Sequence, residues 1–272
     1  MKCIICDSKC HYYFKKNYKD TPYGLLMDDI EDVEYFRCQN CGFVSSLTHQ
    51  ELPPDTWKRL NADFHKYANS LAVEEKPSNS PPYADQALMI SLAGRGGVVD
   101  TANMIDYAGG AGILSSLMQE LFGLSLPIYD PYVQGGKNAN YVDKSDLKAY
   151  RFVFNSAMFE HVLSREDLDS VNDLVSAGGV LGIHTVIREN VPKDPSWFYL
   201  DVPVHTAFHT NMSMSILMEQ WGYKSSIYVP RAKSWLLLKD STPLMQKKIR
   251  DLNEKLRTEF FMFKDGFLDY WR

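Results

Sequence analysis

Residues 104–120, "MIDYAGGAGILSSLMQE", read as an apolar strand, a glycine turn and a helix in direct succession. The pattern around them keeps alternating. "ADQALMISLAG" is helical, "ANMIDYA" is a short strand, and "ILSSLMQELFG" is a helix ended by Gly123. "LSLPIYD", "YRFVFNSA" and "GGVLGIHTVI" follow as strands, then "SMSILMEQWGY" as an amphipathic helix with Gly222 at its end. "SSIYVP" and "SWLLLK" make a late hairpin. Strands alternating with helices predict an α/β fold with a doubly wound, mostly parallel sheet covered on both faces. In the tail, Met245, Ile249, Leu252, Leu256 and Phe260 form one helical stripe. Such a stripe suits packing on its own domain better than a homodimer contact.

The N-terminus obeys a different logic. All five cysteines precede residue 42, which argues for metal rather than disulfides. Cys3 with Cys6 and Cys38 with Cys41 are two C-x-x-C pairs, each offering two thiolates from a tight turn. Together they make the four-sulfur tetrahedron that Zn²⁺ accepts. Gly42 suits the turn of a knuckle, and the strand-like "VEYFRC" between the pairs fits a zinc ribbon. Cys10 is either a spare buried thiol or a replacement for Cys6. A closed four-cysteine site leaves no open position for chemistry, so its expected role is structural. The expected divisions are a ribbon at 1–50, a helical linker at 51–82, a cofactor domain at 83–240 and a helix with an aromatic tail at 241–272.

With 272 residues the chain can build one catalytic-size domain and a small appendage. The net charge of −5 comes with no basic stripe, so nucleic acid is not an expected partner. The longest apolar runs, such as "GGVLGI", fall far short of the roughly 20 residues of a membrane helix. No signal-peptide apolar region follows "MKCIICDSKC", and a cytoplasmic location is expected.

Two cofactor types compete for the glycine turn. A dinucleotide wants G-x-G-x-x-G with a pyrophosphate on the helix N-terminus. Here Gly110 and Gly112 are followed by Ser115, a poor third position. S-adenosylmethionine has no phosphate but carries an ammonium and a sulfonium. Asp106, at the strand end, fits that positive charge. The small residues Ala108, Gly109, Gly110 and Gly112 let the backbone approach such a ligand. Asp130 closes the next strand and can accept hydrogen bonds from a ribose diol, a role that serves either cofactor.

"IDYAGGAG" is similar to the D-x-G-x-G-x-G first motif of class I S-adenosylmethionine-dependent methyltransferases, with Ala108 in the first glycine place. "FVFNSAMFEHV" resembles their fourth-strand segment ending in Glu-His, and "HTAFHTNMSMSILMEQWGY" a later acceptor-side segment. With the cysteine pairs in front, the closest resemblance is to zinc-ribbon methyltransferases that act on sugars in antibiotic or surface-polysaccharide pathways. Arg151 departs from the pattern, standing where the family usually has an acid. The resemblance implies a Rossmann-like domain, S-adenosylmethionine and Zn²⁺ as cofactors, and a small-molecule acceptor such as a nucleotide-sugar. It places Asn155 beside the sulfonium.

A hydroxyl acceptor benefits from a general base, and His is the usual choice near pH 7. His205 occupies the family's His position, so it is either the base or a positioning residue. His161, next to Glu160, ranks second. His209 shares a polar loop with His205, and His184 reads as a core histidine. The Pro- and aromatic-rich segment 188–204 reads as an acceptor lid. These residues predict O-methylation of a small polar acceptor. C- or N-methylation is the alternative reaction, and a non-catalytic ribbon protein binding RNA or protein is the alternative class.

Overall fold

The computed structural model describes residues 1–30, 32–70, 81–133 and 140–269. Half of the linker or loop stretch "KPSNSPPYAD", residues 76–80, lies outside them. In chain order the strands are β1 (Cys10–Lys16), β2 (Val33–Cys38), β3 (Val44–Ser46), β4 (Met104–Tyr107), β5 (Ile128–Tyr129), β6 (Tyr150–Ser156), β7 (Val175–His184), β8 (Ile187–Arg188), β9 (Ala207–Thr210), β10 (Ser225–Val229), β11 (Ser234–Leu238) and β12 (Met262–Asp265). The helices are α1 (Leu47–Gln50), α2 (Pro54–Ser70), α3 (Tyr83–Arg95), α4 (Ile113–Phe122), α5 (Arg165–Asn172), α6 (Asn211–Trp221) and α7 (Pro243–Leu256).

The chain divides into two compact units. Unit 1 takes Met1–Ser80, Phe159–Asp167 and Val186–Ile216; unit 2 takes Pro81–Met158, Leu168–Thr185 and Leu217–Arg272. The sequence divisions at 50, 82 and 240 cut the chain in series, whereas these units gather separated segments.

Unit 1 is built on a five-stranded sheet in the order β1-β2-β3-β9-β8. The cysteine-bearing strands therefore share a sheet with residues from far along the chain. Val44 of β3 pairs with Phe208 of β9, antiparallel. The core of this unit is aromatic, with Phe14, Tyr18, Tyr35, Trp57, Trp197, Tyr199 and Phe208 all buried. That corrects the reading of 188–204 as a lid. Val191, Trp197, Tyr199, Leu200, Val202 and Val204 are core residues of unit 1. Burying each of the larger ones contributes about 1.5–3 kcal/mol, which an open-and-close element could not forfeit. His209 is likewise not in a loop. It lies on β9, fully buried, between the rings of Phe43 and Phe159.

Unit 2 holds a seven-stranded sheet in the order β12-β10-β11-β7-β6-β4-β5. β5, β4, β6 and β7 are mutually parallel, and β11 runs antiparallel between β7 and β10. This is an α/β, Rossmann-like, mostly parallel sheet, as the alternation predicts. The order reverses at β4: β5 flanks it on one side and β6, later in the chain, on the other. Such a reversal opens a crevice at the carboxyl ends of the strands, where α/β proteins bind ligands. The tail stripe packs inward. Ile249, Leu252 and Phe260 join the core of unit 2, with Met245 and Leu256 partly buried against it. The aromatic tail then adds β12 beside β10, an edge strand the sequence reading did not expect.

Candidate cofactor and metal sites

In unit 2 the turn after β4 is the loop the sequence singled out. Asp106 sits on β4, in register with Ile128 of β5 and Phe154 of β6. Its side chain is buried, and Oδ1 has no hydrogen-bond partner among the described residues. Burial pushes the Asp106 carboxyl up to about 8, and the nearby Asp130 charge adds to the rise. A buried acid of this kind is high in free energy until a cationic or donor group reaches it.

The loop lies directly over that acid. A Cβ on Gly109 would come within 2.6 Å of Asp106 Oδ2 and 2.9 Å of Ile128 Cγ2, so only glycine fits there. Ala108 and Gly110 both take left-handed backbone, with φ of 58° and 53°. The residue in the first glycine place thus keeps a glycine's conformation. Gly112 caps α4, also left-handed. Ser115, in the third glycine place, is buried and donates to the Leu126 carbonyl at 2.7 Å.

Asp130 follows β5 and ties the loop down. Its Oδ2 accepts the Gly110 N–H at 2.8 Å, and its Oδ1 accepts those of Tyr132 and Val133, each at 2.8 Å. The sequence reading gave this carboxylate to a ribose alone; here it also holds the loop. Tyr141, which no motif flagged, donates to the Gly110 carbonyl at 2.6 Å. Asn155 is fully buried on β6; its Nδ2 donates to Gly182 O at 3.2 Å, and its Oδ1 has no partner among the described residues. His184 is a core histidine, bonded through Nδ1 to the Lys233 carbonyl at 2.7 Å and pushed down to about 4 by burial.

In unit 1, Cys3, Cys6, Cys38 and Cys41 converge, their sulfurs all within 4.8 Å of one another. The Cys3–Cys41, Cys6–Cys38 and Cys6–Cys41 separations are 3.7, 3.5 and 3.6 Å. Four thiolates at about 2.3 Å from a tetrahedral ion would stand roughly 3.8 Å apart, so the cage has the right size for zinc. Backbone N–H groups of Ile5, Asn40 and Cys41 point at Cys3 or Cys38 sulfur, supporting thiolate charge. Gly42 turns the second knuckle with φ of 71°. Cys10 stands outside the four, its thiol directed at the Ser8 carbonyl at 4.0 Å.

His161 and His205 also meet within unit 1, ring centroids 5.0 Å apart at 83°. His205 is buried, and its Nδ1 bonds the Tyr199 carbonyl at 2.7 Å. A carbonyl can only accept, so Nδ1 carries the proton and Nε2 keeps its lone pair. Burial pushes His205 down to about 4. It also holds His161 well below the usual range, helped by the neighbouring His205 and His65. Both rings are neutral at pH 7. Glu160, buried beside them, accepts the Tyr199 hydroxyl at 2.5 Å. His209 bonds the Phe159 carbonyl at 3.2 Å and belongs to the core.

No protein-family model and no curated protein matches the chain. Solved structures similar to it include methyltransferases, some in complex with SAH. The plantazolicin methyltransferase BpumL in complex with SAH has a TM-score of 0.45 at 13% identity, over 77% of this chain and 95% of that one. The plantazolicin methyltransferase BamL, in complex with a triazolic desmethylPZN analog and SAH, has a TM-score of 0.44 at 13% identity, over 75% and 86%. PigF with SAH has a TM-score of 0.38 at 14% identity, over 58% and 64%.

Proposed function

We propose that the chain is an S-adenosylmethionine-dependent methyltransferase that O-methylates a small polar acceptor, such as a nucleotide-sugar or another surface-polysaccharide precursor. The observation that carries the reading is the buried, unsatisfied Asp106 under a glycine loop closed by Asp130. A pyrophosphate would need the loop's N–H groups, and Asp130 already takes that of Gly110. Two carboxylates at one loop disfavour an anion and favour a cation, which an ammonium and a sulfonium supply. Asp106, Ala108, Gly109, Gly110, Gly112, Asp130 and Asn155 are the residues assigned to that cofactor.

On the acceptor side, His205 and His161 are assigned the acceptor's proton chemistry. Burial keeps both rings neutral at pH 7, the form that can accept a proton, while lowering their basicity. The four cysteines are assigned one structural Zn²⁺ within a ribbon at residues 1–50, followed by a linker at 51–82 and a cofactor domain at 83–240. None of the five cysteines is in a disulfide, which fits a reducing, cytoplasmic setting. No described helix is long and apolar enough to cross a membrane.

Calorimetry with S-adenosylhomocysteine and NAD tests the cofactor. Only the former should bind, and Asp130→Ala should weaken it tenfold or more, since hydrogen bonds to a charged group are worth about 1.5–3 kcal/mol each. Tight NAD binding with none of S-adenosylhomocysteine would refute the reading. Incubating labelled S-adenosylmethionine with candidate acceptors, read by mass spectrometry, separates O- from C- and N-methylation. His205→Ala should lower turnover roughly 10²–10⁴-fold with cofactor affinity unchanged.

A further inference from the structure

Glu160, His161 and His205 bring one ligand atom each to within 4.8 Å of one another in unit 1. His205 and Glu160 are held from behind. His205 spends Nδ1 on the Tyr199 carbonyl, which turns the Nε2 lone pair the other way. His161 packs against the His205 ring, and its Nδ1 is buried with no partner among the described residues. Tyr199 donates to Glu160 Oε1 and so orients the carboxylate, and its ring lies against His205 at 4.4 Å. An imidazole fixed by a backbone carbonyl beside a hydrogen-bonded carboxylate has the support that metal ligands receive from the groups behind them.

We propose that Glu160, His161 and His205 form a second metal site, separate from the four-cysteine cage, that takes one Zn²⁺ and leaves a position open. Two imidazoles and one carboxylate are a donor set that zinc accepts with an exchangeable fourth ligand. Ligands at about 2.1 Å from a tetrahedral ion stand roughly 3.4 Å apart, so these atoms, within 4.8 Å of one another, close by at most about 1.4 Å. A dication also offsets the cost of burying a carboxylate beside two imidazoles. The open position would take a hydroxyl oxygen of a small ligand, and coordination would acidify it.

The test counts metal on the full-length protein after incubation with Zn²⁺ and dialysis, by inductively coupled plasma mass spectrometry. Wild type should hold about two ions per chain, one in the cysteine cage. His161→Ala and His205→Ala should each hold about one, and that retained ion reports that the cysteine end still folds. Glu160→Gln, nearly isosteric, should also lose the second ion. Tyr199→Phe should weaken it about 10–100-fold, as loss of an orienting partner does. One ion in wild type, or two in both His variants, would overturn the proposal. Two ions in a protein that binds no S-adenosylhomocysteine would keep the site and sink the methyltransferase. One ion with normal cofactor binding would do the reverse.

Discussion

Asp106 makes stability depend on pH in a way that one substitution isolates. The folded carboxyl is raised from its usual 3.8 to about 8, chiefly by burial. Below the unfolded value both states are protonated and there is no penalty. Between the two values the unfolded chain releases a proton that the folded chain keeps, so stability falls as pH rises; above about 8 the loss is complete. The slope is about 1.4 kcal/mol per pH unit for one proton. Over three units, from pH 5 to 8, that amounts to ~4 kcal/mol, and local relaxation would leave at least ~2 kcal/mol. Asp106→Asn has no proton to lose. Denaturant unfolding of both proteins at pH 5, 6, 7 and 8, followed by tryptophan fluorescence, should show wild type losing this stability relative to the variant. Metal release at low pH affects both proteins and cancels in the difference. A difference that stays constant to within ~0.5 kcal/mol would refute the reasoning, because Asp106 would then be ionised in the fold. A cationic cofactor should draw the proton off, so binding at pH 7 should release one, read as a buffer-dependent calorimetric enthalpy.

Ala108→Gly should stabilise the ligand-free chain by up to ~1.6 kcal/mol: it relieves about 1–2 kcal/mol of left-handed strain and costs about 0.4–1 in chain entropy. The unfolding midpoint reads it, and a destabilised variant would show that the strain estimate is wrong. Cys10→Ser should keep the ion of the cysteine cage and Cys38→Ser should lose it, as metal analysis will show; equal loss in both would make Cys10 a ligand. Ile249→Ala should cost about 2–5 kcal/mol without changing the sedimentation coefficient, because the α7 stripe is spent on the core of its own unit.

Much of unit 2 was legible because its signals are local. The glycine loop, the β10–β11 hairpin and the α7 stripe each depend on spacing within about a dozen residues. The four-cysteine cage was legible for the same reason, since each pair is one turn. Trp197, Tyr199 and Val204 were misjudged because prolines and polar residues around them hide a burial imposed by partners such as Phe14 and Trp57, far away in the chain. His209 looked like loop for a similar reason: β9 has only four residues and pairs with β3 and β8. The hold of Asp130 on Gly110 and that of Tyr141 on the same residue are contacts across 20 and 31 residues, and no motif encodes them.

The pairing of Val44 with Phe208 sets a timetable for biosynthesis. The partners lie 164 positions apart (208 minus 44), so β3 leaves the ribosome long before β9 exists. At about 5–20 residues per second the wait is roughly 8–30 s. Throughout it, β3 offers an unpaired edge on which another nascent chain could dock. A fragment ending near residue 50 would carry that edge permanently and should self-associate, even with its metal cage complete.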